Sequence, residues 1–400
     1  MTGVTSDQSD RARSEYPAPS TARKMSSARL RMGEQMRRPD LSRRRRLVAV
    51  IALATTAVAA LSGAGTASAS GMHHGYRQTN LVSDIPGVAQ LTDPNLVNPW
   101  GLAAGPTTPL WVADNGTGVA TLYAGGTGGT PFNIAPLVFT IPNGAPTGQV
   151  FNASNGFKLR TNMGRVPAKF IFDSEAGTIS AWTLTNPIQF NVRTKLVVPG
   201  AIFKGLSIGF FHDRPALYAA DFGHSRVWVV DSHFHVMSTP GAFMDPTLPS
   251  NYSPFGIQRI GRFVVVTYAK HEPGQGDETH GPGFGFVDVY TQNGRMVARL
   301  ASHGALNAPW GLVQAPSHFG RFSGALLVGN FGDGRINAYN FKTGQWLGKL
   351  RRPNGDPLSI NGLWGLRFGN GVAGGPRDLL FSAGIHDEAH GLLGMIRHVS

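Results

Sequence analysis

From about Tyr76 onward, apolar positions come in short β-branched and aromatic runs, each closed by a cluster of Gly, Asn or Asp. Such punctuation predicts strands joined by tight turns. The runs recur. Asn98-Pro99-Trp100-Gly101-Leu102 returns as Ala308-Pro309-Trp310-Gly311-Leu312 and as Gly362-Leu363-Trp364-Gly365-Leu366, with weaker echoes at Asn155-Gly156-Phe157, Gly205-Leu206-Ser207 and Pro254-Phe255-Gly256-Ile257. Glycines 101, 156, 205, 256, 311 and 365 then stand 55, 49, 51, 55 and 54 residues apart. Six such units predict an all-β fold, a six-bladed β-propeller.

Within a unit the pattern predicts an inner strand, a second strand, a turn and a third strand. Blade one reads as Trp100 to Ala104, Leu110 to Ala113 and Val119 to Tyr123; the second and third strands of blade two as Ala168 to Phe172 and Thr178 to Thr183. Blades three and five give Ala216 to Ala220 with Arg226 to Asp231, and Ala325 to Gly329 with Arg335 to Tyr339. Blade four carries a long excursion, Lys270 to Pro282, and blade six a shorter one, His386 to His390. Blade six is one strand short at Ser400, so Tyr76 to Val82 is the natural closing strand, removing two exposed edges.

The first 69 residues do not fit this pattern. A polar, Arg-rich start leads to Arg43–Arg46, the apolar run Leu47 to Leu61 and Ala67-Ser68-Ala69, the three parts of an export signal. Residues 1–69 are thus expected to be a disordered leader and export signal, with Met32 and Met36 as alternative starts. Residues 70–400 form the propeller of a secreted protein without a membrane span, the apolar run being short for one. The Arg-Arg pair leaves the export route open. Charge changes the picture next. The chain carries +13 overall, but residues 1–69 hold 12 Lys/Arg against 5 Asp/Glu, leaving 24 against 18, or +6. A mature chain so weakly basic, without a basic run, gives no case for a nucleic-acid partner, and a monomer is expected. The absence of cysteine excludes disulfides and thiol chemistry.

In a propeller, the starts of the inner strands and the turns from second to third strand share one face. That face collects Asn98, Trp100, Phe255, Asn307, Trp310, Asn361 and Trp364 with Asp114, Asp173, Asp221 and Asn330 as candidate ligand contacts. The tryptophans are expected first to pack blade against blade, beside Gly at each inner strand, and the acids suit turn chemistry. The sharpest signal is a repeated phrase, Asp277-Glu278-Thr279-His280-Gly281 and Asp387-Glu388-Ala389-His390-Gly391, 110 residues or two blade periods apart. His271 and Glu272 add to the same rim. Glu278, His280, Glu388 and His390 are the candidate acid–base residues, and Asp277 and Asp387 the candidate ligands of a divalent metal such as calcium. His73-His74 lies too near the predicted mature start, and His233-Phe234-His235 has only Asp231 as an acidic neighbour.

The leader, the opening Tyr76-Arg77-Gln78-Thr79-Asn80-Leu81-Val82-Ser83-Asp84, the Asn98-Pro99-Trp100-Gly101 phrase, the run Leu363 to Gly371 and the Asp387-Glu388-Ala389-His390-Gly391 ending resemble a family of uncharacterised bacterial secreted proteins of NHL-like or SMP-30-like architecture. The resemblance covers about residues 76 to 398 and implies the fold without an activity; some relatives carry a C-terminal sorting tail, which this sequence does not show. The wider superfamily includes calcium-dependent lactonases whose Glu, Asn and Asp ligands are matched here by residue type alone. Two expectations follow: a secreted binding module recognising a small molecule, glycan or protein segment at its funnel, or a metal-dependent hydrolase or lyase using the loops of blades four and six.

Overall fold

The computed structural model describes residues 74–272 and 274–399. The expected leader, its export signal and His73 lie outside them. The described chain folds into six blade sheets, antiparallel except where the short strand Leu91–Thr92 runs parallel to Gly75–Ser83, and their inner strands form a closed ring. Blade one runs Pro99–Ala103, Leu110–Asp114, Val119–Ala124 and Asn133–Thr140. Blade two pairs Pro146–Phe151, Phe170–Ser174, Thr178–Trp182 and Arg193–Val197; blade three Phe203–Phe211, Arg214–Asp221 and Arg226–Asp231. Blade four holds Tyr252–Ile260, Phe263–His271, Phe286–Thr291 and Met296–Ser302, and blade five Pro309–Gln314, Leu326–Asn330, Ile336–Tyr339 and Trp346–Lys349. A 3₁₀ turn at Gly320–Phe322 is the one helical segment among the described residues.

Blade six is assembled from both ends of the described chain. Leu363–Phe368, Leu379–Ile385 and His390–Val399 are completed by Gly75–Ser83, antiparallel from Gly75 opposite Val399 to Ser83 opposite Leu392. The ring is therefore closed by the N-terminal strand, as the missing strand implied. Tyr76 anchors it: the ring is buried and its hydroxyl donates to Phe319 O at 2.9 Å.

The inner strands pack edge on edge through glycine. A Cβ at Gly101, Gly148, Gly205, Gly256, Gly311 or Gly365 would fall within 3.0 Å of the backbone of the next inner strand, in unbroken succession around the ring. Backbone approach this close needs a residue without a side chain. The repeat thus has a steric cause, and it corrects one assignment: blade two contributes Gly148, not Gly156. Asn155-Gly156-Phe157 instead precedes an inserted hairpin, Lys158–Thr161 with Gly164–Pro167, and buried Phe157 packs on Phe234. The axial phrase of blade two, Thr147-Gly148-Gln149, has no large apolar residue before its glycine and so escapes a pattern keyed on one.

Candidate functional site

Antiparallel pairing places the start of each inner strand beside the end of its second strand, as Pro99 faces Asp114 in blade one. These ends define the top face of the ring. Beneath it lies an aromatic floor. Trp100 stacks on Trp364 with centroids 3.5 Å apart, Trp310 meets both edge-on, and Phe331 stacks on Trp364 at 4.2 Å. Trp100, Phe255 and Trp364 are no more than 2% exposed, so these rings cover one another and hold the blades together.

The register occupied by Trp100, Phe255, Trp310 and Trp364, immediately before the axial glycine, is filled in blade three by Lys204. Its side chain is 1% exposed, and Nζ lies 5.3 Å from the centre of the Trp100 ring and 5.8 Å from that of Phe222. Nζ donates to Glu175 Oε1 at 2.6 Å and to Asp277 Oδ1 at 3.0 Å. Hydrogen bonds extend the network: Asn115 Nδ2 donates to Glu175 Oε2, Asn98 Nδ2 to Asn115 Oδ1, and Trp364 Nε1 to Asn98 Oδ1. One polar chain therefore runs from blade six through blades one, two and three to blade four.

The charges in this mouth act on one another. Burial alone would lower the Lys204 pKa, but Glu175, Glu278 and Asp277 outweigh it and hold the ammonium above its ordinary range. Burial pushes the Glu278 carboxyl up to about 7 against the attraction of Lys204, with Glu388 and Asp277 adding to the rise. Glu388 is raised by burial too, again opposed by Lys204 and reinforced by Glu175 and Asp277. Glu388 Oε1 is covered and has no hydrogen-bond partner. The structure thus brings Glu278 and Glu388 to one mouth with Lys204.

The two Asp-Glu-x-His-Gly phrases reach that mouth by different backbones. In blade four, Glu278–Thr279 form a short strand on Phe263–His271, with Glu278 directly opposite His271. In blade six, His386, Asp387 and Glu388 all take left-handed φ values of 55°, 52° and 65°, a run disfavoured for residues with a Cβ. His386 N donates to Asn361 Oδ1, which helps hold that turn. The imidazoles diverge from the expectation of a shared ligand. His280 lies against Phe331 of blade five, while His390 Nδ1 is 2.6 Å from Asp84 Oδ2, beyond the closing strand. Asp387 is exposed, and the Asp277 side chain is 85% exposed.

The remaining candidates hold the framework. Asp173 Oδ1 accepts from Thr147 Oγ1 and Gly148 N; Asp114 Oδ2 accepts from Thr121 Oγ1. Asp221 accepts from Ile202 N and Trp228 Nε1 and pairs with His224; Asn330 Nδ2 donates to Ala305 O. All four are at most 1% exposed. Asn307 Oδ1 accepts from Gly281 N, tying blade five to the blade-four loop. As for a calcium ion, no group of three His, Asp or Glu side chains among the described residues is placed to hold one, and the carboxylates are drawn instead to the Lys204 ammonium.

Lys204, Glu175 and Asn115 were not singled out by the sequence pattern. The signal for Lys204 was its position, a lysine in an aromatic register, in Phe203-Lys204-Gly205-Leu206; Glu175 and Asn115 sit in turns whose composition alone explains them.

No family model matches the chain. Among solved structures, a streptogramin B lyase is 11% identical, covering 81% of this chain and 98% of its own, with a TM-score of 0.48. A glucose dehydrogenase is 12% identical, covering 80% and 99%, at 0.49. The fold stands on its own strand pairing rather than on these likenesses. Among the described residues no helix is long and apolar enough to cross a membrane. Protein L690 of Acanthamoeba polyphaga mimivirus is 31% identical over 342 residues, 80% of this chain and 85% of the relative. Protein R648 of the same virus is 32% identical over 332 residues, 79% and 78%. These relatives are viral, whereas the sequence resemblance implied bacterial secreted proteins. By its identity and coverage, the chain belongs to the same family as the uncharacterized mimivirus proteins R648 and L690.

Proposed function

We propose that this propeller is a ligand-binding module whose site is the top-face mouth around Lys204, taking a small polar molecule, a glycan or a protein segment. The observation that carries this reading is the gathering of Glu175, Lys204, Asp277, Glu278 and Glu388 from four separate blades into one coupled set. Burying the Lys204 ammonium with its carboxylate partners is costly, and replacing buried ion pairs by apolar residues is often neutral or stabilising. The other inner strands show the apolar alternative, an aromatic at the same register. A set of charges that the fold does not need is a site candidate. The ligand matched to it has a cationic or hydrogen-bond-donating group for Glu278 and the unpartnered Glu388 Oε1.

A second reading rests on the placement of Glu278 at the mouth, opposite His271 and near the Lys204 ammonium, with burial pushing its carboxyl up to about 7. Such a group exchanges its proton near neutrality and serves as a general acid or base, with the Lys204 ammonium stabilising an adjacent anion. This version of the hydrolase or lyase reading uses no metal. The decisive experiment is a thermal-shift screen of amino sugars, oligosaccharides and polyamines, followed by calorimetry on wild type and Glu388→Gln. Binding weakened by the substitution supports the mouth; equal binding by both proteins refutes it. Release of product from a bound compound, lost in Glu278→Gln, favours the enzyme. Export is part of the same proposal and rests on the leader pattern; N-terminal sequencing of secreted protein beginning near Ser70 supports it.

A further inference from the structure

A second site lies away from the mouth, between blades one and two at the bottom face. Here a cavity of about 370 Å³ opens between the turn after Pro99–Ala103 and the segment after Thr178–Trp182. Its walls are aromatic: Trp111 stacks on Phe139 at 4.5 Å and on Phe170 at 4.2 Å, and Trp182 lies 5.0 Å from Trp111. The lip is apolar as well, formed by Leu184 and Ile188, 55% and 40% exposed. Lys169 is the one charged residue of the lining.

Three observations give this cavity the character of a ligand pocket. The boundary between blades six and one on the same face is plugged, Arg367 and Asn370 reaching across from blade six to the carbonyls of Ala104, Gly105 and Thr108, whereas the cavity between blades two and three is lined by Lys158, Arg165, Lys195 and His233, polar where this one is apolar. The lip is built in place. Trp182 Nε1 donates to Gln189 O, and Thr140 and Phe190 bond across the blade boundary, so Leu184 and Ile188 are held over the cavity while exposed. Finally, of the eleven exposed large hydrophobic residues among the described residues, six, from Val138 to Val197, belong to these two blades, and two of them, Leu184 and Ile188, form the lip of the cavity itself.

We infer that this cleft binds a planar aromatic molecule carrying an anionic group, its rings between the aromatic walls and the apolar lip and its charge toward Lys169. Pockets of this size and lining hold small molecules, and a single cation fixes orientation. The probes are 2-naphthoate, its uncharged counterpart 2-naphthamide, and 8-anilinonaphthalene-1-sulfonate, titrated into the full chain by calorimetry and fluorescence. Saturable binding is expected at one site. Leu184→Glu, an exposed position checked by thermal melting, should weaken all three probes roughly tenfold or more. Lys169→Ala should weaken naphthoate and the sulfonate several-fold and leave naphthamide unchanged. Absence of saturable binding, or binding equal in wild type and Leu184→Glu, overturns the assignment. A concentration-dependent dimer in sedimentation that Leu184→Glu abolishes also overturns it, assigning the cleft to a second copy of the chain. None of these variants touches Lys204 or the acids at the mouth, so the two sites are tested separately.

Discussion

Replacing Glu278 by Gln should stabilise the protein at neutral and alkaline pH. The side chain keeps its shape while losing the ability to ionise. In the folded chain the carboxyl sits at about 7 against an ordinary 4.5, so folding favours its protonated form. Its contribution to stability is complete below about pH 4.5 and is lost as the pH rises to about 7, where the buried group must ionise. A shift of that size corresponds to about 3 kcal/mol. Gln resembles the protonated acid, so the variant should match wild type near pH 4 and exceed it by about 3 kcal/mol at pH 8. The assay is urea unfolding at pH 4, 6 and 8, with thermal melts alongside; the Tm gain at pH 8 should be roughly 5 °C. A variant less stable than wild type at pH 8, or a difference that does not change with pH, would refute the electrostatic reasoning.

Lys204→Met leaves Glu175, Asp277, Glu278 and Glu388 without their common cation and should cost about 3–5 kcal/mol at pH 8. Because carboxylates freed of Lys204 take up protons, denaturant unfolding should show that loss shrinking as the pH falls below the raised carboxyl range, and a pH-independent loss would count against the pairing. Trp364→Ala removes a fully buried ring stacked on Trp100 and Phe331, with an expected loss of about 3–5 kcal/mol in the same assay; unchanged melting would mean the ring does not pack the floor. Gly148→Ala drives a Cβ into the backbone of blade three and should prevent ring closure, seen as loss of the near-ultraviolet dichroism of the tryptophan floor, while a native spectrum would restore Gly156 as the axial residue of blade two.

Fold and site differ in how much the sequence disclosed. Blade number was legible because close approach at the axis forces glycine, and the aromatic before it recurs in four blades. The closing strand was legible because Leu379–Ile385 and His390–Val399 lacked an outer partner. Blade two was misread because Thr147 replaces the aromatic and an inserted hairpin offers a decoy glycine. At the site, the repeated Asp-Glu-x-His-Gly phrase marked Glu278 and Glu388, which both come to the mouth. It did not disclose that one copy is a β-ladder and the other a left-handed turn, because loop length and surrounding contacts, not the phrase, decide the backbone. Lys204 escaped because an isolated lysine in a strand reads as a solvated edge until its neighbours in space are known.

The central claim is that charges from separate blades form one coupled site, and the carboxyl titration of Glu278 tests it most directly. With glutamate side chains labelled by ¹³C, Glu278 should titrate near 7 in wild type and move down in Glu388→Gln, because the second carboxylate is one cause of its rise. A midpoint near the ordinary glutamate value, or one unmoved by Glu388→Gln, would contradict the account.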